Sequence, residues 1–258
     1  MNIDYAIIGG GLSGLAAACE INKKSHSFLI FEATHRLGGR VGSDYQNGFI
    51  LDRGFQVFNS GYKKTQSIIK CQALSFCHYP KIASSITQKK HTWHGLPGSC
   101  PNGFKWSEKA RMPLSDLWQM GCDILNIRDG GPSCSTRDHF LRSFSSRTRT
   151  EFLSPFFQAV SLDPLLQLPV QLYRYYLRRF FGYHSTIPRL GMQKIPDQLA
   201  QQIAPSKIKR RTPVTAIDGH TIHTESGGTF TAKHIILATP MACTFRLLNH
   251  PFSNRSFP

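Results

Sequence analysis

A glycine-rich turn between a short apolar strand and a helix constrains the fold of this chain more than any other feature. Residues 5–8 are apolar and run into Gly9, Gly11 and Gly14, which stand at the spacing G-x-G-x-x-G. A helix of small residues follows, and then a second apolar strand over 28–31. In this strand–helix–strand context the pattern is typical of dinucleotide-binding βαβ units. The sequence therefore predicts a nucleotide-binding α/β fold.

Each glycine of this turn has a mechanical role. Gly9 permits the tight turn out of the strand, Gly11 lets the backbone approach a pyrophosphate, and Gly14 lets the helix pack closely against the strand. The first N–H groups of the helix favour phosphate, and Glu32, at the end of the second strand, can accept hydrogen bonds from ribose hydroxyls. An ordinary turn without a ligand would leave the second strand and its acid unexplained. The predicted cofactor contacts here are Gly9, Gly10, Gly11, Leu12, Ser13, Gly14, Glu32 and Ala33.

The stretch from Glu32 to Arg40 carries a second motif, EATHRLGGR. It resembles the signature of the flavin-dependent amine oxidases, protoporphyrinogen oxidases and phytoene desaturases, in which the acid is followed by a basic residue and then Gly-Gly-Arg. Gly39 and its neighbour bring the backbone close to a diphosphate, and Arg40 can neutralise that group with its planar guanidinium. A dehydrogenase that uses nicotinamide alone has no evident need for this second phosphate contact. FAD is therefore the predicted cofactor.

Four later stretches resemble the same superfamily, in the same order along the chain. The resemblance implies that Gly54 leaves room for the isoalloxazine ring and that the backbone of Val214 meets the adenine. Between them, Gly191-Met192 leads into a helix that returns to the cofactor domain. Ala238-Thr239-Pro240 ends a buried strand at the point where these proteins leave the nucleotide sheet.

The implied fold is α/β, with a Rossmann-like FAD-binding domain of the GR2 flavoprotein type. Residues 1–60 and 192–258 are expected to form this domain, and 61–191 an inserted α+β substrate domain. Members of the superfamily continue past Ala-Thr-Pro and finish with a Gly-Asp segment, which nothing from Thr244 onward resembles. We therefore expect a chain shortened at its C-terminal end. No catalytic residue is predicted, because the catalytic aromatics and lysine of the amine oxidases lie largely in that segment.

The net charge of +16 is concentrated in the middle of the chain, where residues 61–211 carry 23 basic and 8 acidic side chains. Such a field favours nucleic acid, an anionic membrane surface or an acidic partner. The basic residues are not interleaved with aromatic ones as a stacking platform requires, so nucleic acid is not expected. A solvated basic surface is the expectation, and peripheral membrane contact is the alternative.

Two helices are predicted in this basic middle. Over 114–127 one face carries Leu114, Leu117, Trp118, Gly121 and Ile124. The other helix begins after Pro169, which suits a first turn, and its apolar face carries Leu172, Tyr173, Tyr176, Leu177 and Phe180. We expect this aromatic stripe to be core. The alternative is an apolar cavity for a small-molecule substrate, with Arg174, Arg178 and Arg179 resting on anionic lipid.

The cysteines and the N-terminus indicate a cytoplasmic protein. The seven cysteines are scattered without a CxxC pair, which argues for a reducing compartment and against a structural zinc site. The first strand begins within a few residues of Met1, which leaves no room for a signal peptide. No apolar run approaches the ~18 residues of a spanning helix. No metal ligands are predicted.

Together the motifs predict an FAD-dependent oxidoreductase that takes a hydride from a C–H group of its substrate. Two alternatives remain open. The chain could be a C-terminally shortened fragment that binds nucleotide without turnover, or, less in keeping with Gly-Gly-Arg, an NAD-dependent dehydrogenase. The identity of the substrate is not predicted.

Overall fold

The chain begins with the predicted strand–helix–strand unit: β1 (Asn2–Ile8), α1 (Leu12–Lys23) and β2 (Phe28–Phe31). The structure is a computed structural model that describes residues 2–54, 56–79, 82–87, 90–95, 112–125 and 134–249. The further strands are β3 (Gly42–Gln46), β4 (Phe49–Arg53), β5 (Phe58–Asn59), β6 (Phe76–His78), β7 (Ile82–Thr87), β8 (Lys90–Gly95), β9 (Ser185–Pro188), β10 (Ile208–Lys209), β11 (Val214–Asp218), β12 (Thr221–Thr224) and β13 (Thr229–Leu237). The further helices are α2 (Lys63–Gln66), α3 (Leu114–Leu125), α4 (Thr136–Ser143), α5 (Ser146–Thr148), α6 (Ser154–Ser161), α7 (Val170–Gly182), α8 (Lys194–Ala200) and α9 (Met241–Leu247).

Six strands form one sheet in the order β10-β2-β1-β13-β12-β11. The first four run parallel, with Ile7 of β1 opposite both Ile30 and Ile236. β1 is apolar because both of its faces are covered: Ile7 belongs to a core cluster shared with α1 and α8, and Ile8 to a cluster that includes Leu247 of α9. The mixed α/β architecture confirms the predicted fold class.

β12 and β13 form a hairpin, since they pair antiparallel and Gly227-Gly228 lie between them. The strand after it differs from the prediction. β13 is one continuous strand whose first half pairs with β12, while along its length it also pairs with β1. The prediction of a buried strand is wrong for Lys233 and His234, which are exposed. Lys233 is exposed because its ammonium pairs with Asp4 at the surface.

Asp4 of β1 accepts hydrogen bonds from the Lys233 ammonium (2.7 Å) and from the hydroxyl (2.6 Å) and N–H (3.0 Å) of Ser27. These bonds, the Lys233 contact first, hold the pKa of Asp4 well below its ordinary value of 3.8. A carboxylate with a lowered pKa contributes stability above its ordinary pKa and loses that contribution as the pH falls below it. We expect Asp4→Asn to lower the urea midpoint near neutral pH, with the difference from wild type shrinking below pH 3.8. A difference that persists undiminished in strong acid would contradict the ion pair.

The described residues pack as two compact units. The first comprises Met1–Phe58, Lys63–Cys77 and Ile187–Pro258, and the second Asn59–Tyr62 and His78–Thr186, within the described ranges. The chain passes between them within β5, after Tyr62, within β6 and within β9. The predicted roles of a cofactor domain and an inserted substrate domain stay predictions, and parts of that insert (96–111 and 126–133) lie outside the described residues.

Helix α3 of the second unit is present as predicted, but its apolar face is not the buried one. Leu114 is 84% exposed and Leu117 is 48% exposed, whereas Asp116 and Asp123 are buried. Asp116 faces inward because it accepts from the N–H and hydroxyl of Ser145. Specific polar partners therefore set the orientation of α3, against its hydrophobic pattern.

Helix α7 confirms the core interpretation of the aromatic stripe, because Tyr173 and Leu177 are fully buried. The alternative in which Arg174 rests on lipid is wrong, because Arg174 is buried and paired with Asp123 at 3.1 Å. Arg179 donates to the carbonyl of Gly61 at 2.7 Å and lies over aromatic rings. Contact of Arg178 and Arg179 with anionic lipid stays a prediction, and Arg174 is no longer part of it. No helix in the described part of the chain is long and apolar enough to cross a membrane.

Candidate nucleotide site

The glycine turn folds as its mechanical roles require. Gly9 has φ +106°, a conformation that glycine adopts without strain, and its N–H donates to the carbonyl of Phe31 at 2.8 Å. A Cβ at Gly14 would overlap the Gly9 carbonyl oxygen. The start of α1 thus lies directly on the end of β1, which only a residue without a side chain at position 14 permits.

Two glycine segments lie side by side at the start of α1. The N–H of Gly38 donates to the carbonyl of Gly10 at 2.9 Å, and Gly11 pairs with Gly38 as an isolated parallel bridge. A Cβ at Gly39 would lie 3.3 Å from the Cα of Gly11. The second motif therefore folds back onto the first, and together they form a backbone surface without side chains.

The N-terminus of α1 is open to an anion. Its capping residue, Gly11, supplies no side-chain hydrogen bond, and the first turn contains no acidic residue. Leu12 is half-buried, Ser13 is exposed and Gly14 is buried. The first N–H groups of a helix have no partner within the helix. Uncapped donors beside two glycine segments fit a diphosphate, which needs close backbone approach and positive partial charge.

Glu32 is buried at the end of β2, and its carboxylate joins the two motifs. One oxygen accepts from the N–H of Gly10 at 2.7 Å, and the other accepts from the N–H (2.9 Å) and hydroxyl (2.8 Å) of Thr34. An ionised carboxylate has about four acceptor positions, so these three bonds leave one for a ligand hydroxyl. Ala33, the next residue, is exposed.

The remaining predicted cofactor contacts are Val214, Arg40 and Gly54. The chain before Val214 adjoins the acid, because the N–H of Thr212 donates to the carbonyl of Glu32 at 2.9 Å. Val214 itself is half-buried and begins β11. Arg40 is exposed, and Gly54, with φ +76°, approaches it through the backbone: a Cβ there would lie 3.6 Å from the Arg40 carbonyl oxygen.

Sequence reasoning missed Arg36 as the residue that holds the Gly-Gly-Arg loop. Its guanidinium donates to the carbonyls of Val41 (2.8 Å) and Gly39 (3.0 Å) and to the side-chain oxygen of Gln193 (2.8 Å). The amide of Gln193 in turn donates to the carbonyl of Leu37 at 3.2 Å. The available signal was the basic residue of the motif itself, since a planar fork of donors suits clustered carbonyls.

Side chains of β3 and β4 bind the Gly-Met segment through hydrogen bonds. The carboxylate of Asp52 accepts from the Ser43 hydroxyl and from the N–H of Met192 at 2.8 Å. The Ser43 hydroxyl also accepts from the N–H of Gln193 at 2.9 Å. Helix α8 starts directly afterwards at Lys194, so the predicted helix is present and lies in the first unit.

Nucleophilic or metal chemistry in this region would require a reactive side chain or a cluster of metal ligands among the described residues. Burial raises the pKa of the Cys19 thiol, which packs in α1 and donates to the carbonyl of Leu199 at 3.6 Å. A thiol held neutral is a poor nucleophile. Among the described residues no group of three or more His, Cys, Asp or Glu side chains is arranged to hold a metal ion.

Comparison with known proteins agrees with this geometry. A family model described as flavin containing amine oxidoreductase matches residues 12–252. Protoporphyrinogen oxidase 2 (chloroplastic/mitochondrial) of Arabidopsis thaliana is 27% identical over 172 residues, which cover 62% of this chain and 33% of that protein. This chain therefore corresponds to only part of its relative's length.

Two solved structures share the fold. An oxidoreductase from Methanosarcina mazei has a TM-score of 0.74 at 19% identity, covering 99% of this chain and 62% of that one. Putrescine oxidase bound to putrescine has a TM-score of 0.69 at 19% identity, covering 96% of this chain and 60% of that one. At this identity the likeness shows the fold alone.

The family model spans most of the chain, including Gly-Gly-Arg and the stretch through Ala-Thr-Pro. It confirms the predicted superfamily and its flavin cofactor FAD. The glycine surface, the uncapped helix and the Glu32 carboxylate fit that cofactor. The chain therefore belongs to the family of flavin containing amine oxidoreductases.

Proposed function

We propose that this chain binds FAD and provides the nucleotide-binding side of an oxidoreductase that takes a hydride from a C–H group of a small-molecule substrate. The observation that carries the proposal is the position of the Glu32 carboxylate. It lies at the uncapped start of α1, bonded to Gly10, where the second glycine segment also folds back. Three separated parts of the sequence thus meet at one place with the donors and acceptors that an adenosine diphosphate needs.

In this proposal each group has a defined task. The backbone from Gly9 to Gly14, with Leu12 and Ser13 at its helical start, binds the diphosphate together with Gly39 and Arg40. Glu32 accepts from the adenosine ribose through its remaining acceptor position. The proposed adenine contact is Val214, with Ala33 beside the ribose, and Gly54 leaves room for the flavin ring.

FAD, when bound, would accept the hydride. The protein would orient the cofactor and exclude water. The substrate is proposed as a small molecule without further definition. The Arabidopsis relative is named for protoporphyrinogen and one solved neighbour is bound to putrescine, so the family name alone does not indicate which chemistry this chain serves.

The test is the visible absorption spectrum of the purified full chain, with any released cofactor identified and with FAD and NAD added in separate titrations. A flavin spectrum with one FAD per chain supports the proposal. Tight NAD binding without FAD binding would favour the dehydrogenase alternative. FAD binding with no reduction by any tested amine or apolar substrate would favour nucleotide binding without turnover. A protein that binds neither cofactor would overturn the site.

Glu32→Gln is expected to weaken FAD binding by about tenfold or more, since hydrogen bonds to charged groups contribute ~1.5–3 kcal/mol. The amide has one acceptor oxygen, so it can serve Gly10 or Thr34 but presents N–H groups to the other. We therefore also expect the free energy of unfolding without FAD to fall by about 1–3 kcal/mol. FAD titration and urea denaturation measure the two effects.

The matched control is Glu20→Gln, which removes an exposed carboxylate of α1 that pairs only with Lys23 on the same helix at 2.6 Å among the described residues. It should leave both the FAD affinity and the urea midpoint unchanged. Equal losses in the two variants would mean that overall charge, rather than the Glu32 contact, determines FAD binding.

A further inference from the structure

The second unit contains a cavity of about 390 Å³ beside α4, a π-helical turn (Arg149–Leu153) and the loop after α6. This volume falls in the range of about 300–1,000 Å³ that small-molecule pockets occupy. The residues that matter for its chemistry are Arg137, Phe140, Leu141, Arg149, Leu165 and Leu166.

The cavity is positively charged. Arg137 comes from α4 and Arg149 from the π-helical turn, and no acidic side chain is among the described residues that line it. Two nearby carboxylates are engaged elsewhere: Glu151 pairs with Arg147 at 3.2 Å, and Asp163 accepts from the N–H groups of its own loop. Two arginines therefore line this space, without a carboxylate among the described lining residues.

The guanidinium of Arg149 has an unsatisfied donor. Its Nε is buried and has no hydrogen-bond partner among the described residues. A buried donor on a charged group costs free energy when it is left unpaired. Arg149 is half-buried and lines the cavity, so an anion in the cavity would offset its charge.

Part of the cavity wall is apolar, and one of its residues has a strained backbone. Phe140 and Leu166 are buried in this wall, while Leu141 and Leu165 are exposed. Leu166 has φ +52°, which is rare for leucine, and its carbonyl accepts from the N–H of Arg137 at 3.0 Å. Such strain persists where surrounding contacts enforce it and clusters at binding sites.

We propose that this cavity binds a small amphipathic anion, namely a carboxylate or phosphate monoester on an apolar body. The anionic head accepts hydrogen bonds from Arg149 and Arg137, and the body lies against Phe140, Leu165 and Leu166. Arginine suits either head because its planar donors match both carboxylate and phosphate. The proposal rests on the second unit and does not depend on FAD binding.

The test is calorimetric titration of the full chain with decanoate, decyl phosphate, decyltrimethylammonium, acetate and inorganic phosphate. We expect saturable one-to-one binding of at least one decyl anion, with little binding of the decyl cation and much weaker binding of the two anions without a tail. Tighter binding of decanoate would identify a carboxylate head, and tighter binding of decyl phosphate a phosphate head.

Arg149→Gln should weaken binding of the preferred anion by about tenfold or more, and Ser154→Phe, which fills the cavity without changing its charge, should abolish it. Arg147→Gln is the matched control, because Arg147 has the same charge but is not among the lining residues. Circular dichroism checks that each variant is folded. No saturable binding, an unchanged affinity in folded Arg149→Gln, or an equal loss in Arg147→Gln would overturn the proposal.

Discussion

Replacing Gly14 by alanine should lower the free energy of unfolding by about 3 kcal/mol or more and abolish measurable FAD binding. The added Cβ would overlap the carbonyl oxygen of Gly9, and both atoms belong to backbone that cannot swing aside as a side chain can. Relieving the overlap means separating the start of α1 from the end of β1. Overpacking of this kind commonly costs about 1–3 kcal/mol, and backbone overlap exceeds it.

The loss of FAD binding follows from the same displacement. The donors proposed for the diphosphate are the first N–H groups of α1, and Glu32 is held to Gly10 in the same turn at 2.7 Å. A shift of the helix start moves both groups away from a common ligand. Urea denaturation and FAD titration of the purified variant would measure the two effects separately.

Gly182→Ala is the matched control, because Gly182 is also helical but a Cβ there would meet nothing within 4 Å among the described residues. Its stability should stay within about 0.5 kcal/mol of wild type, and its FAD affinity should be unchanged. A Gly14→Ala protein as stable as this control would show that the turn does not require glycine for close packing.

The second large effect is expected in the second unit. Asp123→Asn should lower the free energy of unfolding by about 3–5 kcal/mol, the usual cost of breaking a buried ion pair from one side. The Asp123 carboxylate contacts Arg174 (3.1 Å), the ring of His139 (2.8 Å) and the hydroxyl of Tyr173 (3.3 Å). Without the carboxylate, the buried Arg174 charge loses its ion pair with Asp123.

Tyr173 belongs to the same buried group. Burial first, and then the neighbouring Asp123 carboxylate, raise the pKa of Tyr173 well above its ordinary value of 10.0. Because the pKa of Tyr173 is higher in the folded than in the unfolded state, the stabilisation by the protonated tyrosine is present below pH 10.0. It is lost as the pH rises above that value. The Asp123→Asn measurement is therefore best made near neutral pH, where the tyrosine keeps its proton.

Two further variants make the Asp123 result specific. Glu151→Gln breaks the partly exposed pair with Arg147 and should cost at most about 0.5 kcal/mol. The double variant Asp123→Asn/Arg174→Met should lose less stability than the two single variants added together, because residues in contact couple. Additive losses would contradict a shared ion pair.

The first strand–helix–strand unit could be predicted from the sequence because the requirements of its glycine turn are local. Gly9, Gly11 and Gly14 serve a turn within a few residues of one another, and the apolar runs of β1 and β2 predict strands buried on both faces. The Gly-Gly-Arg motif similarly depends on backbone geometry near its own position. These features predicted the α/β class, the order of the first elements and the flavin family.

The orientation of the helices in the second unit followed from contacts between distant parts of the chain. The pattern of α3 favoured burial of Leu114 and Leu117, but Asp116 is buried instead because Ser145 donates to it. The alternative interpretation placed Arg174 against lipid, but it is buried and paired with Asp123. Periodicity reports only how apolar each face is, whereas a specific hydrogen bond or ion pair depends on which groups the fold brings together. For the same reason the Arg36–Gln193 contact, which joins residues far apart in the chain, became visible only in the folded protein.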